Sequence, residues 1–116
     1  MRVRARDDLA MSGLRRGKEY VVLGLDDQYF RVLNNEEEPV LFPRSAFIVL
    51  DDHVPEDWVW RRYSDGQFLA NPPEMASRGF YDAFFDRKKW ALTALAGYLK
   101  RAGIKREPRS RRQRPM

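Results

Sequence analysis

The chain has 116 residues, 43% hydrophobic and 13% aromatic, which suits one domain with one modest core. It has no cysteine, which excludes disulfides, thiolate zinc sites and cysteine nucleophiles and fits a reducing compartment. The net charge of +5 is uneven: residues 104–116 carry six bases against Glu107, residues 1–18 six bases against two acids, and residues 19–66 four bases against eleven acids.

Val3 and Ala5 alternate with arginines, which predicts a short edge strand. Asp7 to Arg16 is polar and holds Gly13, with Gly17 just beyond, and reads as a loop. KEYVVLGL (18–25) and YFRVL (29–33) are rich in β-branched and aromatic residues, so they predict a hairpin turning at Asp26, Asp27 and Gln28. NNEEEP (34–39) is a loop, because asparagine tolerates left-handed conformations and Pro39 cannot donate to a ladder. VLF (40–42) is a short strand, and AFIVL (46–50) is the continuous apolar run expected of a strand buried on both faces. Pro43 and Pro55 break the chain between and after these runs. DWVWRRY (57–63) sets Trp58, Trp60 and Arg62 on one face of a strand against Val59, Arg61 and Tyr63 on the other. SDG (64–66) turns the chain, and QFLA (67–70) pairs back.

After Asn71 the pattern becomes helical. NPPEMASRG offers an asparagine cap and then proline at the first helical positions, for a short turn. In FYDAFFD, Phe80 and Phe84 share one face, and Tyr81 and Phe85 the opposite one. Asp86 is the expected cap of a longer helix whose apolar stripe is Trp90, Ala94, Leu95, Tyr98, Leu99 and Ala102. Lys100 and Arg101 suit its C-terminal dipole, and Gly103 predicts a left-handed cap with Ile104 folding back on Leu99. These elements predict a mainly β, α+β fold: a small antiparallel barrel or bent sheet, then one short and one long C-terminal helix. The expected domain is 1–103, β-rich over 1–70 and helical over 71–103, with 104–116 a disordered basic tail. No apolar run reaches the ~20 residues of a membrane helix. The start MRVRARDDLA has no apolar stretch behind its charges, so no signal peptide is expected and the protein reads as cytoplasmic.

LDDHVPEDWVW (50–60) carries the densest chemistry. His53, the one histidine, has Asp51, Asp52, Glu56 and Asp57 beside it in sequence. A carboxylate that orients a histidine makes a general base, but three-ligand metal spacing is missing. The same residues are what a polar corner at Pro55 would show, with Trp58 as an apolar anchor. Nucleophile elbows, phosphate-cradling glycine loops and dinucleotide fingerprints are absent from the sequence. The expectation is therefore no enzyme, no catalytic residue, no metal and no cofactor. Tryptophan, tyrosine and arginine dominate binding hot spots. Trp60, Tyr63, Tyr81 and Phe85 are thus the candidate partner-binding aromatics, with Glu36 and Glu37 as a charged rim. The alternative is nucleic acid held by the tail arginines Arg106, Arg109, Arg111, Arg112 and Arg114 through phosphate contacts.

GKEYVVLGL, YFRVLNNEEEPVLFP, AFIVLDDHVPEDWVW and PPE…GFYDAFFD together resemble a loose group of small uncharacterised bacterial proteins, over about residues 13–86. The shared run is a Gly-Lys-x-Tyr-x-Val strand, a Glu-Pro-x-Leu-x-Pro strand, an Asp-x-x-x-Pro-x-x-Trp-Val corner and a Gly-Phe-aromatic-x-x-aromatic-Phe-Asp segment. The resemblance implies a Src-homology-3-like barrel followed by a helix, and a role like that of the immunity proteins of bacterial toxin systems, bound to a protein partner. It brings no catalytic residue.

Overall fold

The computed structural model describes residues 1–105. Seven antiparallel strands form one open sheet: β1 (Arg2–Ala5), β2 (Glu19–Asp26), β3 (Tyr29–Leu33), β4 (Pro39–Pro43), β5 (Phe47–Asp51), β6 (Val59–Arg62) and β7 (Phe68–Asn71). A 3-10 turn (Arg44–Ala46) joins β4 to β5, and a second (Pro73–Met75) leads to helices α1 (Phe80–Phe85) and α2 (Lys89–Arg101). The mainly β, α+β expectation is met as a bent open sheet: the path β4-β3-β2-β1-β5 ends in two strands that do not pair.

β2 organises the sheet. β3 pairs along one side of it. The other side is shared: β1 takes Glu19–Val21, and β7 takes Leu25 and Asp26. Leu25 therefore lies between Phe30 of β3 and Ala70 of β7. β5 pairs with β1 and β6 with β7, all antiparallel, so β5 and β6 both run in the direction of β2. They form one outer edge, broken by residues 52–58.

The sheet buries side chains on both faces. One core gathers Val3, Tyr20, Val22, Leu25, Phe30, Val32, Phe42, Phe47 and Trp58 inside the bend. The other lies under the helices, where Leu23 of β2 meets Met75, Phe80, Phe84, Leu95, Tyr98 and Leu99. Alternation along β2 sends Leu23 one way and Val22 the other, and the ladder irregularity between Val22 and Gly24 lets Leu25 rejoin Val22's core.

The corner at 52–58 is an anchor, as its tryptophan suggested. The Trp58 amide donates to the Pro55 carbonyl at 3.2 Å, and the indole is 4% exposed. Arg101, at the end of α2, clamps this corner from outside: it pairs with Asp57 at 2.9 Å and, through both its Nε and Nη2, with Glu74. That bond to Arg101 holds the Glu74 carboxyl below its ordinary range.

Four expectations are corrected. β1 is an interior strand between β2 and β5, and Val3 and Ala5 are buried in it. The apolar run of β5 is not buried on both faces: only Phe47 is covered, while Ile48 and Val49 are each 45% exposed and Leu50 38%. Among the described residues β5 pairs with β1 alone, and no buried core residue comes from Ile48, Val49 or Leu50. Asp86 closes α1 instead of capping α2, and Arg87 turns the chain with φ 64° before α2 starts at Lys89. The buried stripe of α2 then begins at Ala91; Trp90 is 53% exposed, its ring edge against Phe80 at 5.8 Å, and Ala102 is exposed too. The C-terminal cap is as expected, with Gly103 at φ 72° and the Ile104 amide donating to the Leu99 carbonyl at 2.9 Å.

Trp58→Ala is expected to lower the unfolding free energy by about 3–5 kcal/mol, as truncation of a buried tryptophan does. Trp60→Ala, on the exposed side of the same segment, should cost less than about 1 kcal/mol. Urea titration of the two variants checks this, and equal losses would contradict the inward placement of Trp58.

Candidate functional site

A groove of about 320 Å³ opens between the C-terminal half of β2, β3, the β6–β7 pair and residues 75–82. Its geometry starts at Gly24. A Cβ added there would lie 2.4 Å from Asn71 Oδ1, so glycine is what lets β7 bring the Asn71 side chain this close. Asn71 is buried, and its Oδ1 accepts the Tyr81 hydroxyl at 2.9 Å. The Tyr81 ring in turn lies against the Arg31 guanidinium, 3.6 Å from its centroid. Arg31 Nη1 donates to the Pro39 carbonyl at 2.7 Å. Gly24, Asn71, Tyr81 and Arg31 thus form one supported chain, and each fixes the next.

Two further arginines line the groove. Arg61 on β6 donates from Nη2 to the Ala76 carbonyl at 2.9 Å, which ties the edge strand to the segment before α1, and Arg78 follows on that segment. Asp26 and Asp82 also line it. Asp26 spends one carboxylate oxygen on the backbone amides of Gln28 and Tyr29, which makes the β2–β3 turn. The ion pairs of the described residues leave out Arg31, Arg61 and Arg78. Burial pushes the Arg31 guanidinium below its ordinary value, an effect that Tyr81 and Asp26 partly offset. Burial also pushes the Tyr81 hydroxyl up to about 12, against the opposing pull of Arg31.

The second feature is the outer edge. Ile48, Val49 and Leu50 of β5 and Val59 and Trp60 of β6 are all exposed by more than a third. β5 pairs only with β1 and β6 only with β7 among the described residues, so the outer side of both strands carries no ladder.

The aromatics singled out in the sequence are not one surface. Tyr63 and Tyr81 share the groove. Tyr81 is partly buried with its hydroxyl committed to Asn71, so it is a support more than a contact residue. Trp60 lies outside the groove lining, its ring 5.6 Å from that of Phe68. Phe85 is exposed on α1 beside Phe84, also outside the groove. Glu36 is exposed on the β3–β4 loop, but Glu37 is 6% exposed at φ 59° and forms no rim. His53 is exposed, and its amide donates to Asp51 Oδ1 at 3.0 Å in a local turn. Among the described residues there is no group of three or more histidine, aspartate or glutamate side chains placed to hold a metal. The tail arginines Arg106, Arg109, Arg111, Arg112 and Arg114 lie outside the described residues.

Arg31, Arg61, Asn71 and Gly24 were not picked out from the sequence. The available signals were a charge inside the apolar run YFRVL and a glycine inside the strand KEYVVLGL. Among the described residues no helix is long and apolar enough to cross a membrane. No protein-family model, curated protein or solved structure matches this chain.

Two measurements follow from the groove. An unfolded tyrosine titrates near 10 and Tyr81 at about 12, so between these values the unfolded chain releases a proton that the native chain keeps. The stability contribution of Tyr81 is full below about pH 10 and falls by roughly 2–3 kcal/mol as pH rises towards about 12. Denaturant midpoints of Tyr81→Phe against the parent chain should lose that part of the alkaline fall; an unchanged fall would contradict the burial of the hydroxyl. Gly24→Ala should displace Asn71, cost about 1–3 kcal/mol as overpacking does, and shift the Tyr81 ring and Arg31 guanidinium resonances together. Shifts confined to residue 24 and its neighbours would contradict the chain of supports.

Proposed function

We propose that this protein is a non-catalytic protein-binding module that takes an extended segment of a partner along its β5–β6 edge. The observation that carries this reading is the run Ile48, Val49 and Leu50, three consecutive apolar side chains all more than a third exposed on an edge strand. Proteins blunt exposed edges with charge, proline or cover, because free backbone donors and acceptors beside apolar side chains recruit another strand. Here the edge carries no charge between Phe47 and Leu50, and Pro55 stands only in the break between β5 and β6. A partner strand would gain main-chain hydrogen bonds along β5 and side-chain contacts to both faces, the mode of β-strand addition. Trp60, exposed further along the same edge, supplies an aromatic anchor of the kind that concentrates binding energy. The resemblance to a loose group of small uncharacterised bacterial proteins, similar in scale to immunity proteins, supports a dedicated protein partner.

Val49→Lys tests this. The residue is half-exposed, so the substitution should change stability by less than about 0.5 kcal/mol. Affinity capture from lysate of the native host, after nuclease treatment and in moderate salt, should recover a protein with the parent chain and lose it with Val49→Lys. Equal recovery by both chains, or recovery of nucleic acid alone, would overturn the proposal.

A further inference from the structure

We infer that the groove beside β6 is a binding site for a single oxyanion, the carboxylate or phosphate of an organic ligand, held by Arg31 and Arg61. This goes beyond the docking edge and stands on different residues.

Arg31 is partly buried, and a guanidinium partly withdrawn from water gains from a directly bonded carboxylate or phosphate. Arg31 has one face against Tyr81 and one nitrogen on the Pro39 carbonyl, and no carboxylate pairs with it among the described residues. These two contacts fix the plane of the guanidinium while leaving its remaining N–H donors uncommitted. The planar fork of an arginine fits a carboxylate or phosphate in two parallel hydrogen bonds. A donor already held by Tyr81, which Asn71 holds in turn, loses little entropy on binding.

Arg61 supplies the second cation. It comes from β6 and lines the same groove as Arg31, and its bond to the Ala76 carbonyl gives it a set position. Arg78 adds a third at the rim. Asp26 and Asp82 line the same groove, so three positive charges meet two negative ones. That balance favours one oxyanion and disfavours a polyphosphate, which two carboxylates would repel. Leu25, Leu41, Leu69, Met75 and Tyr63 supply apolar and aromatic wall for the body that carries the anion. Gly24 fits the same picture, since its missing side chain is what seats Asn71 under Tyr81.

The test is a titration of the full-length protein followed by amide and arginine side-chain resonances. The probes are phenylacetate, phenyl phosphate and, as the neutral control, phenylacetamide. Saturable shifts at Arg31, Arg61 and Tyr81 with either anion, and none with phenylacetamide, are expected. Saturation by one anion alone assigns carboxylate or phosphate as the source. Arg31→Gln should weaken binding at least about tenfold, the effect of losing a charge-assisted pair. Arg61→Gln, at the more exposed position, should weaken it too, and it keeps the test decisive if Arg31→Gln fails to fold. Arg4→Gln, on β1 away from the groove, should leave affinity unchanged. The inference is overturned if neither anion saturates, if phenylacetamide shifts the same resonances equally, or if Arg61→Gln binds as the parent chain does.

Discussion

The structure depends on one strand that has no idle face. β2 carries Leu23 into the helix-side core and Val22 and Leu25 into the core inside the bend, and it is paired on both sides over part of its length. In a chain of 116 residues, two small cores that share a strand bury more apolar surface than two separate ones would. The consequence is a sheet that must bend. β1 and β7 compete for the same side of β2 and settle it by taking successive halves. The irregularity at Val22–Gly24 is where the two halves meet, and the groove opens beside it.

From that division the outer edge follows. Whatever pairs with β1 and with β7 has to be two strands in line, and the connection between them has to step from one to the other. Pro55 breaks the ladder, and Trp58 pins the step into the inner core. Arg101 at the end of α2 then ties this corner, through Asp57, to Glu74 of the Pro73–Met75 turn, so the helical layer and the sheet edge are coupled by charge as well as by packing. Exposed pairs of this kind add little stability singly, and their value here is in fixing where the corner sits.

Much of this was legible in the sequence. The strand runs, the Asp26 turn, the two C-terminal helices and the Gly103 cap follow from local rules of propensity, turn chemistry and helix termini, and these rules act on neighbouring residues. The hairpins and the Trp58 anchor were legible too, and what failed was the placing of strands and helix faces against elements distant in sequence. AFIVL reads as a doubly buried strand, and only the tertiary structure reveals that, among the described residues, β5 pairs with β1 alone and leaves Ile48, Val49 and Leu50 exposed. VRA reads as an edge, and only its pairing with both β2 and β5 places it inside. Trp90 and Ala91 differ by one position on the same helix, and the start of α2 at Lys89 decides which of them faces the core. The groove was invisible for the same reason: Gly24, Arg31, Asn71 and Tyr81 are scattered over 58 positions, and their union is a fact of strand register. Of the aromatics chosen from the sequence, Tyr63 and Tyr81 do meet there, while Trp60 and Phe85 do not.

The central claim is that β2 is the protected spine and the β5–β6 edge is free to accept another strand. Amide hydrogen exchange on the full-length protein at low concentration tests it most directly. The account predicts that the paired amides of β2 exchange only through global unfolding, while the alternate amides of β5 that face away from β1 exchange nearly as fast as in an unstructured chain. Outward β5 amides as slow as those of β2 would mean that the edge is already covered, and would contradict the claim.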